Sequence, residues 1–384
     1  MEPTNETFGG FSVGTVKNVV STIFVGTFDF GSNSKVYKSN DIGLNWSISN
    51  SGLGIASVHT FATIDSVIMD ISQLKFKFKN IKWLLLIGFI ISNVIFYNHA
   101  YKFTHFTEGN GKRIKPENLT TAERIKVLFF GVDNPKPLND KVPPREYSTI
   151  RIKSHVELEG WLIEEESQKG IVILFHGYSG SKSSNITYGE EFNKKGYTTL
   201  LVDFMGSGGS GGNQTTLGVK ESRDVKESYD FVKQKYPGEE IILFGSSMGA
   251  VSIMKSILDY DLKPDKIILE CPFGSMKTTI RKRFEAMNVP SFPFAEILLF
   301  YGGVQNGFNG FKHNPTEYAK SIMIPTLLFY GINDKRVTIS EIATIFENLK
   351  GDKELRVLKE SGHENYLLND DEDWIESVGR FIKK

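Results

Sequence analysis

From Tyr147 onward the apolar residues come in short unbroken runs separated by polar, helix-like stretches. Strand-like runs are Thr149–Lys153, Leu158–Ile163, Ile171–Phe175, Thr198–Val202, Ile241–Phe244, Lys266–Glu270, Thr326–Tyr330 and Leu355–Leu358. The middle ones are continuous Ile, Leu, Val and Phe, the pattern of parallel strands covered on both faces. Helical stretches alternate with them at Ser183–Lys195, Gly218–Lys235, Ala250–Tyr260, Ser340–Leu349 and Asp371–Ile382. The first two strands adjoin directly, which predicts an antiparallel start. The whole predicts a doubly wound α/β domain over residues 147–384, with its site at the carboxyl ends of the strands.

Upstream the pattern changes. In Trp83–Tyr97, twelve of fifteen positions are apolar, the exceptions being Gly88, Ser92 and Asn93. With Ile81 and a snorkelling Lys82 the run approaches the ~17 residues needed to span a bilayer. A membrane anchor within residues 69–98, with its span at about 81–97, is the leading reading. A signal peptide starting at Met69, with a weak cleavage site near Ala100, and a buried core helix are the alternatives. Lys75, Lys77, Lys79 and Lys82 precede the span, so the N-terminus is expected inside and the large domain outside. Residues 99–146 then form a linker. In it Thr120 and Glu123 read as a capping box opening a short helix that Gly131 stops. That helix could pack on the domain, the simpler reading, or lie on the membrane.

Residues 1–68 hold eight charged side chains, and about a third of them are Ser, Thr or Asn. Short β-like runs, Thr22–Thr27 and Lys35–Lys38, alternate with turn residues. Ser39-Asn40-Asp41-Ile42-Gly43-Leu44-Asn45-Trp46 resembles the Asp-box of sialidase-type (BNR) repeats. In such a box Asp and Gly close a hairpin turn over the Trp. One repeat cannot close a propeller. Residues 1–68 are therefore expected to be a poorly ordered fragment.

Composition narrows the chemistry. With 45 basic and 45 acidic residues in 384, the chain has no global charge with which to bind nucleic acid. Its one cysteine, Cys271, excludes an internal disulfide framework and a Cys-rich zinc site. No G-x-x-x-x-G-K-[ST] and no H-E-x-x-H occurs.

The strongest signal is Ile241-Ile242-Leu243-Phe244-Gly245-Ser246-Ser247-Met248-Gly249-Ala250, a strand, then G-x-S-x-G, then a helix. A turn this tight leaves no room for side chains two positions either side of Ser247, and it lifts the hydroxyl out at the strand tip. That hydroxyl needs a base. His363, in Gly362-His363-Glu364, follows the last strand. The imidazole needs a carboxylate to fix its tautomer, and Asp334 follows the preceding strand. Phe175-His176-Gly177-Tyr178 turns sharply after a third strand end. The N–H groups of Tyr178 and Met248 are assigned as oxyanion donors, and His176 as a brace for the loop.

These motifs, with Gly331–Asp334, resemble those of the α/β-hydrolase superfamily, most closely its serine aminopeptidase-like and prolyl oligopeptidase-like branches. The resemblance runs from about residue 147 to the end. It implies a mostly parallel sheet with helices on both faces, a small lid, and the triad order Ser247, Asp334, His363. Asp203-Phe204-Met205-Gly206-Ser207-Gly208-Gly209-Ser210 matches the loop D-x-R-G-x-G-x-S, but with Met205 in place of Arg. The anchoring of that loop is thereby in question. The same loop matches G-x-G-x-x-G, with Asp224 or Glu227 near the acid position. A dinucleotide site would need the helix to open at once, and here Asn213–Thr216 intervene.

The lid is placed at Cys271–Met323, where Arg281, Arg283, Phe284, Met287, Phe292, Phe294 and Leu298–Tyr301 either line an acyl pocket or pack on the sheet. Cys271 is read as a small buried residue. His59 and His99 lie outside the domain, and His105, His155 and His313 are expected at the surface. The chain is thus expected to be a membrane-anchored serine hydrolase of esters, thioesters or amides, acting on a small-molecule or lipid-like acyl substrate. It would need no cofactor, metal or obligate protein partner. A non-catalytic scaffold and an aminopeptidase are the alternatives.

Overall fold

The computed structural model describes residues 12–19, 22–28, 35–41, 44–51, 61–64, 67–70, 75–108 and 120–384. These fall into two units, residues 1–92 and 93–384.

In the first unit, β1 (Ser12–Val19), β2 (Thr22–Phe28), β3 (Val36–Ser39) and β4 (Ser47–Ile48) form an antiparallel sheet in that order, and β5 (Phe61–Ile64) pairs with β6 (Val67–Asp70). Both β-like runs anticipated at Thr22 and Lys35 fall on strands. Asp41 closes its turn. Its carboxylate accepts from Ser39 Oγ at 2.7 Å, and from Asn45 N and Nδ2 at 2.9 and 2.7 Å. Those bonds hold its pKa down to about 2. Ile42 and Gly43 of the Asp-box lie outside the described residues.

Helix α1 (Lys75–Thr104) follows. Its stretch Lys82–Thr104, 23 residues, is long and apolar enough to cross a membrane by length and composition. At 1.5 Å per residue it reaches ~35 Å, against a hydrocarbon core of ~30 Å.

The second unit contains the end of α1, helix α2 (Thr121–Phe130) and an eight-stranded sheet. Helix α2 has the anticipated capping box, with Thr120 and Glu123 bonded reciprocally, and Gly131 ends it at φ +74°. The strands are β7 (Ser148–Lys153), β8 (Glu157–Ile163), β9 (Ile171–Phe175), β10 (Thr198–Val202), β11 (Ile241–Ser246), β12 (Lys266–Glu270), β13 (Thr326–Gly331) and β14 (Lys353–Leu358). Their spatial order is β14-β13-β12-β11-β9-β10-β8-β7. Strands β9 to β14 pair in parallel, while β7 pairs antiparallel with β8, and β8 with β10. This is the doubly wound sheet with an antiparallel start that the run pattern predicts.

Alternation along the strands sets the two packed layers. Ile171, Ile173 and Phe175 of β9 face one core, which takes in Val225 and Val232 of α4 (Glu221–Lys235), Ile253 of α5 (Met248–Tyr260) and Ile342 of α9 (Ile339–Asn348). Val172 and Leu174 face the other core, with Phe192 of α3 (Ile186–Lys194) and the fully buried Trp374 of α10 (Asp371–Phe381). Each such side chain contributes about 1.5–3 kcal/mol on burial. Between β12 and β13 lie α6 (Met276–Ala286), α7 (Phe294–Asn306) and the short α8 (Pro315–Tyr318). Strand order reverses at β9, whose neighbours are β10 and β11, so the carboxyl ends of β9 and β11 open a crevice.

Candidate active site

Ser247 stands between β11 and α5 with φ +52° and ψ −109°, a backbone conformation costly for a residue with a side chain. The flanking glycines explain how the turn closes. A Cβ on Gly245 would stand 2.5 Å from the Gly249 carbonyl carbon, and one on Gly249 would stand 2.3 Å from the Phe175 carbonyl oxygen. Ser247 N donates to the Glu270 carbonyl at 2.8 Å, which ties the elbow to the neighbouring strand.

The three side chains singled out from widely separated positions meet. His363 Nε2 lies 3.0 Å from Ser247 Oγ, and His363 Nδ1 lies 2.7 Å from Asp334 Oδ2. Asp334 Oδ1 accepts from the N–H groups of Arg336 and Val337 at 2.7 and 2.9 Å. Burial works to raise the Asp334 pKa, but the bonds from His363 and these amides outweigh it and hold the carboxyl below its ordinary value. Burial alone would lower the His363 pKa. Cys271 and Asp334 beside the ring favour the imidazolium and raise it above its ordinary value. The loop carrying His363 is pinned at its base, where Ser361 Oγ donates to Asp370 Oδ2 at 2.5 Å.

The His176-Gly177-Tyr178 loop lies against the elbow. A Cβ on Gly177 would be 3.6 Å from Ser247 Cβ, so this loop backbone borders the serine. His176 is buried. Its Nε2 accepts from Phe204 N at 3.1 Å, which leaves the proton on Nδ1 to reach the Gly177 carbonyl at 2.8 Å. It braces the loop, as expected. The Tyr178 hydroxyl donates to the Phe103 carbonyl at 2.9 Å, and its ring stacks on Phe103 at 5.2 Å. Arg283 of α6 sits over both rings, 4.4 Å from Phe103 and 5.3 Å from Tyr178.

The Met205 loop has a different anchor from the usual arginine. Fully buried Lys182 contacts Asp203 Oδ2 at 2.5 Å and Glu159 Oε1 at 2.7 Å, and Gly209 N adds a bond to Asp203 at 2.8 Å. Asp224, near the acid position of a dinucleotide fingerprint, is instead turned inward. It accepts from Ser154 Oγ at 2.6 Å and Met205 N at 3.0 Å, and burial pushes its pKa up to about 7.

Some readings from sequence need correcting. His105 and His313 are buried, not at the surface; only His155 is exposed. His313 bridges the Tyr318 hydroxyl at 2.8 Å and the Leu217 carbonyl at 3.0 Å, and burial pushes it down to about 4. Of the lid residues, Met276, Ile280, Leu298 and Leu299 enclose, with Phe103 and Leu217, an apolar cavity of about 20 Å³, room for about one water molecule. Arg281 is spent on an ion pair with Glu296.

Two residues lie beside the site to which the sequence pattern assigns no part in it. Cys271 is buried as expected, but its sulfur, Asp334 and His363 offer atoms all within 4.8 Å of one another. Glu270 is fully buried behind the elbow, accepting from Trp374 Nε1 at 2.7 Å and the Tyr188 hydroxyl at 2.8 Å. Burial pushes its pKa up to about 8. The only sequence signal for either is position, at the carboxyl end of a central strand.

The family model described as serine aminopeptidase, S33, matches residues 166–298, which takes in Ser247 but stops short of Asp334 and His363. The Bacillus subtilis (strain 168) protein YqkD is 23% identical over 229 residues, 59% of this chain and 75% of that one. The lysophosphatidylserine lipase ABHD12 of Macaca fascicularis is 25% identical over 179 residues, 44% of this chain and 42% of that one. The chain thus spans under half the length of that lipase. Among solved structures, the Pyrococcus furiosus esterase Pf2001 superposes with a TM-score of 0.53 at 27% identity, covering 65% of this chain and 98% of the esterase. The strand order, the elbow and these relatives together place the chain in the α/β-hydrolase superfamily, with the activity class of a serine hydrolase.

Proposed function

We propose that Ser247 is the nucleophile, His363 the general base and acid, and Asp334 the group that orients and stabilises the imidazole. Ser247 Oγ attacks a carbonyl carbon as His363 Nε2 takes its proton. The N–H groups of Tyr178 and Met248 hold the oxyanion. Collapse expels the leaving group, which takes the proton from His363, and water then cleaves the acyl-serine by the same route. The observation that carries this reading is the continuous hydrogen-bonded chain from Ser247 through His363 to Asp334, at 3.0 and 2.7 Å.

The substrate class is an ester or thioester with a lipid-like acyl group. The esterase and lipase relatives support this, as does an apolar helix of membrane-spanning length just before the catalytic unit. In this reading α1 anchors the enzyme as a single span, with the N-terminus inside and the hydrolase outside. The aminopeptidase model leaves amide cleavage as the competing reading. A panel of p-nitrophenyl esters of graded chain length, run beside aminoacyl amides, separates the two.

The test of the nucleophile is Ser247→Ala. It should abolish labelling by a fluorophosphonate probe and lower kcat by up to about a million-fold. Labelling that persists at another serine would overturn the assignment.

A further inference from the structure

The end of α1 is built into the catalytic unit. Asn93 Oδ1 accepts from the Tyr301 hydroxyl at 2.6 Å, and the Tyr97 carbonyl accepts from Gln305 Nε2 at 2.7 Å. Thr104 Oγ1 accepts from Asn306 Nδ2 at 3.2 Å, and Phe96 stacks on Phe294 at 5.4 Å. Lid helix α7 is therefore fastened along the last third of α1. Helix α2 ends against the same stretch, since a Cβ on Gly131 would meet Lys102 at 3.0 Å and His99 at 3.8 Å.

Around this stretch many of the exposed side chains are apolar, alongside the exposed Asn98, Lys126 and Asp133. Phe300 and Val304, one turn apart on α7, are 53% and 59% exposed. Phe129 and Phe130, at the end of α2, are 51% and 65% exposed. Tyr97 and Tyr101 of α1 are 47% and 48% exposed. Helix α7 carries one charged residue in thirteen, Glu296, which is paired with Arg281. A helix on a water-facing surface presents polar residues outward, whereas one lying in a bilayer interface presents Phe and Val. Tyrosines at the end of a span match an interfacial aromatic belt.

We infer that this rim, Phe129, Phe130, Phe300 and Val304 around Tyr97 and Tyr101, docks on the lipid surface that α1 enters, so that the lid sits in the bilayer interface. The inference rests on the reading of α1 as a membrane span. The occupant is lipid because two of the rim residues, Tyr97 and Tyr101, belong to the apolar stretch Lys82–Thr104, which has spanning length.

The test uses the full chain reconstituted in phosphatidylcholine vesicles. Single nitroxides are placed by Phe300→Cys, Phe130→Cys, Leu86→Cys and Lys263→Cys in a Cys271→Ser background, and collisions with oxygen and with a water-soluble nickel chelate are compared. Labels at 86, 300 and 130 should favour oxygen at least about fivefold relative to the label at 263. If 86 is in lipid while 300 and 130 meet the chelate as 263 does, the docking inference falls and the anchor reading stands. If 86 also meets the chelate, both fall. Labels at 300 and 130 shielded from both reagents and broadened by spin–spin coupling would mean that a second copy covers the rim, which also overturns the inference.

Discussion

At the residue scale, Ser247 shows how much strain a single position carries. Its positive φ is tolerated because two glycines let a helix start and a strand end pass within contact of it. Gly249→Ala should therefore cost several kcal/mol of stability or spring the elbow open, because its methyl would strike the Phe175 carbonyl. Denaturant unfolding and ester turnover on the same sample would show the loss. Asp334→Asn should lower kcat by roughly ten-thousand-fold while leaving the fold intact, through the wrong tautomer of His363. It should also move the pH profile. The base works only when neutral, and Asp334 helps raise the His363 pKa, so the acid limb of kcat/KM in the wild type lies above that of an ordinary imidazole. In Asp334→Asn that limb should shift to lower pH, measured on the residual activity. That Ser247, Asp334 and His363 could meet was legible in the sequence because each follows a strand. Cys271 follows one too, but its closeness to His363 depends on β12, β13 and β14 lying side by side, which no local pattern encodes.

At the element scale, the strands and helices of the catalytic unit fall where the apolar runs place them. β9, β10 and β12 start and end as expected. Differences occur where side-chain pattern gives no signal. Helix α4 starts at Glu221, after Glu221 has taken bonds from Thr216 and Gly218, so Gly218 lies outside it. The histidines misplaced to the surface are buried by long-range partners, Gln214 for His105 and Leu217 for His313. The contact between α1 and the Tyr178 loop was equally hidden, because 75 residues separate its ends. Tyr178→Phe tests its importance. Losing the bond to the Phe103 carbonyl should lower kcat about fivefold with little change in KM, as roughly 1 kcal/mol of loop positioning is lost. A purely structural role would leave kcat per folded molecule unchanged.

At the scale of the whole molecule, the buried carboxyl behind the elbow couples stability to pH. Glu270 titrates at about 8 when folded and near its ordinary value of 4.5 when unfolded. Between those values the folded state holds the extra proton, so stability falls as pH rises from about 5 to about 8. Glu270→Gln should flatten that part of the curve, read by urea unfolding at a series of pH values; an unchanged slope would assign it to other groups.

The strand of chain from Thr104 to Thr107 has a practical consequence for anyone excising the catalytic region. Phe106 N donates to the Asn213 carbonyl and Thr215 N to the Thr104 carbonyl, while Thr107 exchanges bonds with Asn134 and Lys136. A fragment trimmed to start at 147, where the run of strands begins, would retain Ser247, Asp334 and His363. It would nonetheless leave the Asn213 carbonyl, the Thr215 amide and the Tyr178 hydroxyl without their protein partners. Such a shortened product should be soluble only with difficulty and sluggish when it is, and expression work would do better to begin ahead of Asn93.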